Sequence, residues 1–217
     1  MSTTDAYGQG IQVAALTDAP NAQVLAQGLA AAVGQSNMRF TNAAARAAAL
    51  TSPVAGMRAW LATEKLWTYY DGSAWIVESF SAFVYAASTQ SIPHNTATTI
   101  NLSNAILDDT SGLNVPGKYW ATPVAGKYKL TAMVSWVASG GGGWRTMWLN
   151  DNGSQIPGSQ GGAVGSSVGT LQERSCIANL AAGRQITMSA LQQSGSSLNT
   201  DTPAGMAASI QIEFLHT

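Results

Sequence analysis

The run Lys127-Tyr128-Lys129-Leu130-Thr131-Ala132-Met133-Val134-Ser135-Trp136 constrains this chain most, because polar and apolar side chains alternate along it. A period of two puts every second side chain on one face of a strand, whereas a helix would scatter the same residues around its axis. Ser209-Ile210-Gln211-Ile212-Glu213-Phe214 repeats the pattern. In all, strand-like runs are predicted at 83–89, 98–102, 126–138, 145–150, 171–180, 185–192 and 207–215. Residues 140–143, Asn152-Gly153 and 158–169 read as loops between them. Short strands at this spacing, punctuated by turn residues, predict an all-β sandwich over residues 80–217.

Residues 1–79 read differently. An extended arm is predicted over 1–34, with Asp18 capping a short turn of helix from Pro20 to Leu29. A better helix is predicted over 36–50, capped by Ser36 or Asn37, with Phe40, Ala43, Ala44, Ala47, Ala48 and Leu50 as a weak apolar stripe. Alanine favours helix but buries little area, so such a helix needs a surface to dock on. Two short strands follow, around Ala59 and around Thr68, and then Asp71-Gly72 precedes Ala74-Trp75-Ile76-Val77. Asp-Gly between aromatic runs signals a β-hairpin with a primed turn. Trp60, Trp67, Tyr69, Tyr70 and Trp75 give this hairpin a large apolar load, in a unit too small for a core of its own. It is expected to pack on neighbours.

Composition narrows the function. Gly, Ala, Ser and Thr make up nearly half of the chain, and only 10% of residues are charged, against a typical ~25%. Net charge is -1, with acids and bases evenly spread. A groove that neutralises many phosphates needs clustered Lys and Arg, so no nucleic-acid partner is expected. Cys176 is the only cysteine, which excludes an internal disulfide and a cysteine-based zinc site. Residues 1–10 lack the basic and apolar regions of a secretory leader. No apolar run approaches the ~18 residues of a membrane span, so no membrane insertion is expected. A soluble monomer normally covers itself with charge. Here small polar residues face water, or much of the surface faces other protein.

Three stretches carry a resemblance over residues 80–217. They are Tyr119-Trp120-Ala121-Thr122-Pro123-Val124-Ala125-Gly126-Lys127-Tyr128-Lys129-Leu130, then Trp148-Leu149-Asn150-Asp151-Asn152-Gly153, and the small-residue start at Gly205 running into the alternating strand to Leu215. They resemble the tumour-necrosis-factor-like jelly rolls, including the complement-type trimeric heads. The first 79 residues resemble the N-terminal segment of tail and other minor virion proteins of siphophages that infect actinobacteria. That likeness rests on Tyr7-Gly8-Gln9-Gly10-Ile11, on Ala14 to Ala22, on Met38-Arg39-Phe40, and on Ser52-Pro53-Val54-Ala55-Gly56-Met57 leading into Tyr70-Asp71-Gly72-Ser73-Ala74-Trp75. Trp60-Leu61 stands where a tyrosine is commoner. The two resemblances imply a homotrimeric virion structural protein, not an enzyme and without cofactor. Trp60, Trp67, Tyr70, Asp71, Gly72 and Trp75 would anchor it to tail or major capsid protein, and a jelly-roll head would face outward. A minor tail protein is the first expectation; a capsid decoration or head-fibre protein, and a secreted lectin-like module, are the alternatives.

Within the head, Tyr119, Trp120, Tyr128, Leu130, Trp136 and Phe214 are expected to pack the core or the threefold interface. Inter-subunit burial is expected for at least one of Tyr128, Leu130 and Phe214. Trp144 and Arg145, beside a glycine-rich loop, are candidates for recognising a host-surface glycan or a protein, with inward core packing of Trp144 as the competing expectation. Gly165-Ser166-Ser167-Val168-Gly169 satisfies G-x-S-x-G, with Asp201 and His216 following in hydrolase order. It lacks the strand before and the helix after that the chemistry needs, and His216 is expected to be poorly ordered. Asp108-Asp109 does not follow calcium-loop spacing and reads as a solvated turn. Asp151 and Glu173 are the one conceivable glycosidase pair, and His94 alone is a poor metal ligand. Cys176 reads as a buried free thiol.

Overall fold

The computed structural model describes residues 3–4, 12–13, 23, 26–28, 30, 38–139, 142–202 and 207–216. The chain is mainly β, with layered antiparallel sheets and a short early helix, and it divides into two compact units, Met1–Glu78 and Ser79–Thr217. The predicted arm lies almost wholly outside the described residues. Within it, Thr3–Thr4 pairs antiparallel with Gln12–Val13, and positions 23, 26–28 and 30 are helical.

In the first unit, four strands lie in the order Met38–Phe40, Arg58–Leu61, Leu66–Tyr70 and Trp75–Val77. The first pair is parallel and the others are antiparallel. The helix Ala43–Ala49 makes the crossover between the parallel strands. It starts later than expected. Asn42 caps it, its side chain accepting the Ala45 N–H at 2.8 Å; Ser36 and Asn37 lie outside the described residues. Phe40, expected on the helix, is in a strand opposite Leu61. The good Ncap residue sits at Asn42, and strong helix formers begin only at Ala43. The hairpin is present, but Tyr70 pairs with Trp75, so residues 71–74 form a four-residue loop in place of a two-residue turn. Asp71 Oδ1 accepts the N–H groups of Ser73 and Ala74, both at 2.7 Å, and Gly72 takes φ +107°. An aspartate that satisfies two loop amides stabilises the wider loop.

The second unit is a jelly-roll-like sandwich. One sheet runs Asn104–Asp108, Ser81–Tyr85, Ser209–His216, Gly126–Trp136 and Thr170–Leu180, antiparallel throughout. The other runs Leu113–Asn114, Tyr119–Ala121, Gln185–Gln192, Trp144–Asp151 and Ser154–Gln155. Gly161–Val164 and Thr98–Thr99 pair onto it from the side. A separate pair joins Leu198–Asn199 to Ser91–Ile92. The alternating run lies centrally, with Tyr128, Leu130, Ala132, Val134 and Trp136 fully buried. Ile210 and Ile212 flank them, and Trp120, Met147, Leu149, Ile186 and Met188 come from the other sheet. Each such large side chain contributes ~1.5–3 kcal/mol through apolar area removed from water.

The long strands agree with the expectation to within a few residues, while the short ones do not. Residues 161–164, expected in a loop, are a strand paired with Trp144–Asp151. The first sandwich strand is Ser81–Tyr85, earlier than predicted, and the run at 98–102 shortens to Thr98–Thr99. Asn104–Asp108, Leu113–Asn114 and Tyr119–Ala121 were not expected as strands. Asn104–Asp108 is an edge strand exposed along most of its length, so it carries no buried alternation to read. His216 is ordered, in the last strand and opposite Lys127.

Candidate interaction surfaces

The outer face of the five-stranded sheet is built from the residues that alternate with the core set. Directly opposed residues share a face. Ser209 lies opposite both Tyr85 and Met133, Gln211 opposite Phe83 and Thr131, and Glu213 opposite Lys129. One end is polar, with Lys129 Nζ 3.3 Å from Glu213 and the Thr131 and Ser175 hydroxyls 2.7 Å apart. The other end is apolar. Phe83, Tyr85, Ile106, Met133 and Ala207 line an open groove of about 440 Å³. Ile106 is 74% exposed on the edge strand, where the register slips between Ala105 and Leu107. On the opposite edge Leu171 and Ile177 are also exposed.

The aromatic residues singled out in the sequence lie elsewhere. Trp120, Tyr128, Leu130 and Trp136 are fully buried, Phe214 is 5% exposed and Tyr119 is half-buried. Phe80 completes their cluster: it stacks on Phe214 at 4.8 Å and meets Tyr128 edge-on at 6.0 Å. The Tyr128 hydroxyl donates to the Val124 carbonyl at 2.5 Å, and burial pushes its phenol far above the usual tyrosine range. Trp136 Nε1 donates to Gln172 Oε1 at 2.8 Å. The chain's own two sheets cover Tyr128, Leu130 and Phe214, which corrects the expected inter-subunit burial: they keep almost no surface that a second subunit could cover. Phe80 carries no periodic signal in the sequence, because it precedes its strand.

The first unit sorts its aromatics onto two faces. Tyr70 and Trp75 lie on the helix side, ring centroids 5.5 Å apart. There Arg46, 8% exposed, stacks over Trp75 at 4.2 Å and donates through Nη1 to Thr68 Oγ1 at 2.7 Å. Trp60 and Trp67 share the other face, 5.5 Å apart, with Arg58 over Trp67 at 5.2 Å and paired to Glu78 at 2.6 Å. The register puts Arg39, Tyr69 and Ile76 on this same face. Trp67 and Tyr69 are exposed. Asp71 and Gly72 shape the loop and make no face of their own.

The chemical candidates resolve into structural roles. The G-x-S-x-G segment connects Gly161–Val164 to Thr170–Leu180, so no helix follows its serine. Asp108 is no solvated turn. Its carboxylate accepts the Gly112 and Leu113 amides at 3.0 and 2.9 Å and Trp120 Nε1 at 3.1 Å. Asp109 accepts the Ser81 N–H at 2.8 Å. Asp151 is paired with Arg184 at 2.5 Å, and His94 Nδ1 accepts the Gly195 N–H at 3.0 Å. Cys176 is half-buried opposite Leu130, and burial pushes its thiol pKa up. Among the described residues no three His, Cys, Asp or Glu side chains gather in a metal-holding group. No described helix is long and apolar enough to cross a membrane.

Trp144 and Arg145 part company. Trp144 is 47% exposed, its indole lying against Gly162, so it does not turn inward. Arg145 is 1% exposed and is not a surface residue, because the next position on a strand faces the opposite way.

No protein-family model matches the chain, and no curated protein matches it. Solved structures align with it at low identity. Murine APRIL at pH 5.0 is 13% identical, with 64% of this chain and 100% of that one covered and a TM-score of 0.48. Eiger TNF from S. frugiperda is 8% identical, with 63% and 92% covered and a TM-score of 0.47. The globular domain of zebrafish complement 1qA is 13% identical, with 63% and 94% covered and a TM-score of 0.40.

Proposed function

We propose that this chain is a non-enzymatic structural component of a phage virion, a homotrimer attached by residues 1–79 and displaying residues 80–217 as its head. The observation that carries the reading is the apolar end of the five-stranded sheet's outer face. Phe83, Tyr85, Ile106 and Met133 form a contiguous open groove on a chain in which only 10% of residues are charged. A patch of this kind fits burial against sister subunits. The aromatic and arginine face around Trp60, Trp67, Tyr69 and Arg58 supports the attachment role, since these residue types dominate interface energetics. A minor tail protein is the preferred placement, with tail protein as partner and host-surface glycan as the ligand of the head.

Mass measurement of the isolated chain at micromolar concentration is expected to give three copies, and a monomer would overturn the trimer. Electron microscopy of intact particles carrying the labelled chain is expected to place it on the tail. Label on the capsid would replace the tail reading by decoration, and unlabelled particles would overturn the virion reading.

A further inference from the structure

Arg145 is a cation buried without a counter-charge. Its guanidinium makes one hydrogen bond, from Nη1 to Thr170 Oγ1. Nε and Nη2 are both buried and have no hydrogen-bond partner among the described residues. These two nitrogens form one edge of the guanidinium plane, the edge whose parallel N–H bonds match the two oxygens of a carboxylate or phosphate. No ion pair to Arg145 occurs among the described residues, and burial, unopposed by any nearby carboxylate, lowers its pKa. An isolated buried charge with two unmet donors is costly, and such groups are ordinarily paired.

Glycine lets the chain pack closely on the guanidinium. A Cβ on Gly165 would stand 2.8 Å from Nη2, 2.9 Å from Cζ and 3.1 Å from Nε, over the face of the group and not in the plane of its free edge. Gly165 is held by its N–H to the Gly143 carbonyl at 2.8 Å. The segment beyond it is tied by the Ser166 carbonyl, which accepts the Ser139 N–H at 3.2 Å, while Val168 is 88% exposed and Gly169 takes φ +88°. A loop with so few buried contacts opens at little cost. Gln172 and Trp136 hold the other side rigidly, Gln172 Nε2 donating to the Arg145 carbonyl at 2.8 Å while its Oε1 accepts from Trp136.

We propose that the free edge of Arg145 is a binding site for a small oxyanion, a carboxylate or phosphate group, admitted by displacement of the 165–169 loop. The chemistry is shared by an acidic sugar and by a phosphorylated polymer, and the assay separates them.

The test measures thermal stability of the full chain at constant ionic strength with acetate, glucuronate, glucose or inorganic phosphate, from zero to ~50 mM. An anion binding the folded state in the millimolar range raises Tm by about 2–5 °C. Acetate and glucuronate acting without phosphate identify a carboxylate ligand, and phosphate alone identifies the other source; glucose is inert in either case. Arg145→Met is expected to abolish the response, and Arg145→Lys, which retains the charge but has no forked edge, is expected to weaken it at least tenfold in anion concentration. No response of the unaltered chain to any anion, or an equal response in Arg145→Met, would overturn the proposal.

Discussion

Single polar atoms hold the ends of this sandwich in register. Tyr128 brings its ring into the aromatic cluster and its hydroxyl to the Val124 carbonyl, just before the strand begins. Tyr128→Phe keeps the ring and removes only that bond, so a loss of ~0.5–1.5 kcal/mol is expected. Calorimetry should show Tm lowered by a few degrees, and an unchanged Tm would mean the hydroxyl contributes nothing. Asp71 gives a pH-dependent counterpart. The Ala74 and Ser73 amides, with the Ser73 hydroxyl, hold its carboxyl below the ordinary aspartate value of 3.8. A depressed folded-state pKa means the loop's stabilisation is complete at neutral pH. It is lost as pH falls below the ordinary value and through the folded one. The Ser73 and Ala74 amide resonances should therefore move only below about pH 4. Asp71→Asn retains the oxygen acceptor and should remove the step; a step that persisted would assign the titration to another group.

At the scale of elements, strand spacing depends on a few close approaches. Gly126 opens the central strand beside the last one, and a Cβ there would stand 2.6 Å from the His216 carbonyl oxygen and 2.7 Å from the Phe214 ring. Gly126→Ala must push the two strands apart or tilt Phe214 out of its stack with Phe80. A cost of ~1–3 kcal/mol follows from overpacking of this kind. Denaturant unfolding should show a lower midpoint with an unchanged slope. An unshifted midpoint would show that the strand ends yield freely. The helix Ala43–Ala49 illustrates the complementary case. It is short and alanine-rich, and its one buried long side chain, Arg46, ties it to the sheet through Trp75 and Thr68. Such a helix owes its existence to the strands it bridges.

For the whole molecule, scarce charge and an apolar sheet face point to assembly by area. Phe83→Glu places a charge in the groove while leaving the buried face of that strand, Ala82 and Val84, untouched. The proposed trimer is expected to dissociate at micromolar concentration with the circular dichroism spectrum retained. A trimer that survived this change would exclude the face. Because little charge is involved, the proposed trimer of the unaltered chain should persist at ~1 M NaCl, where the screening length is ~3 Å. Dissociation there with folding intact would show that ion pairs hold it.

Much of this architecture was legible in the residues. The alternating runs from Lys127 to Trp136 and from Ser209 to Phe214 each specify a half-buried strand, because period two has only one way to bury a face; that the two are neighbours came from the fold. The aromatic hairpin was legible for the same reason, through Asp71-Gly72 and the flanking rings. Short edge strands such as Asn104–Asp108 and Gly161–Val164 were not, since they form by pairing to a longer neighbour and bury little of their own. Which face each aromatic serves was also hidden. Register alone put Trp60 and Trp67 on the open side and Tyr70 and Trp75 under Arg46. Arg145 marks the limit most sharply. Beside Trp144 and the glycine-rich loops it reads as a surface residue, and only the folded sheets bury it with one guanidinium edge unmatched. Sequence determines strand character locally, through side-chain periodicity. Whether a given atom meets water, a partner or nothing depends on residues far along the chain, and that was decided by the tertiary structure.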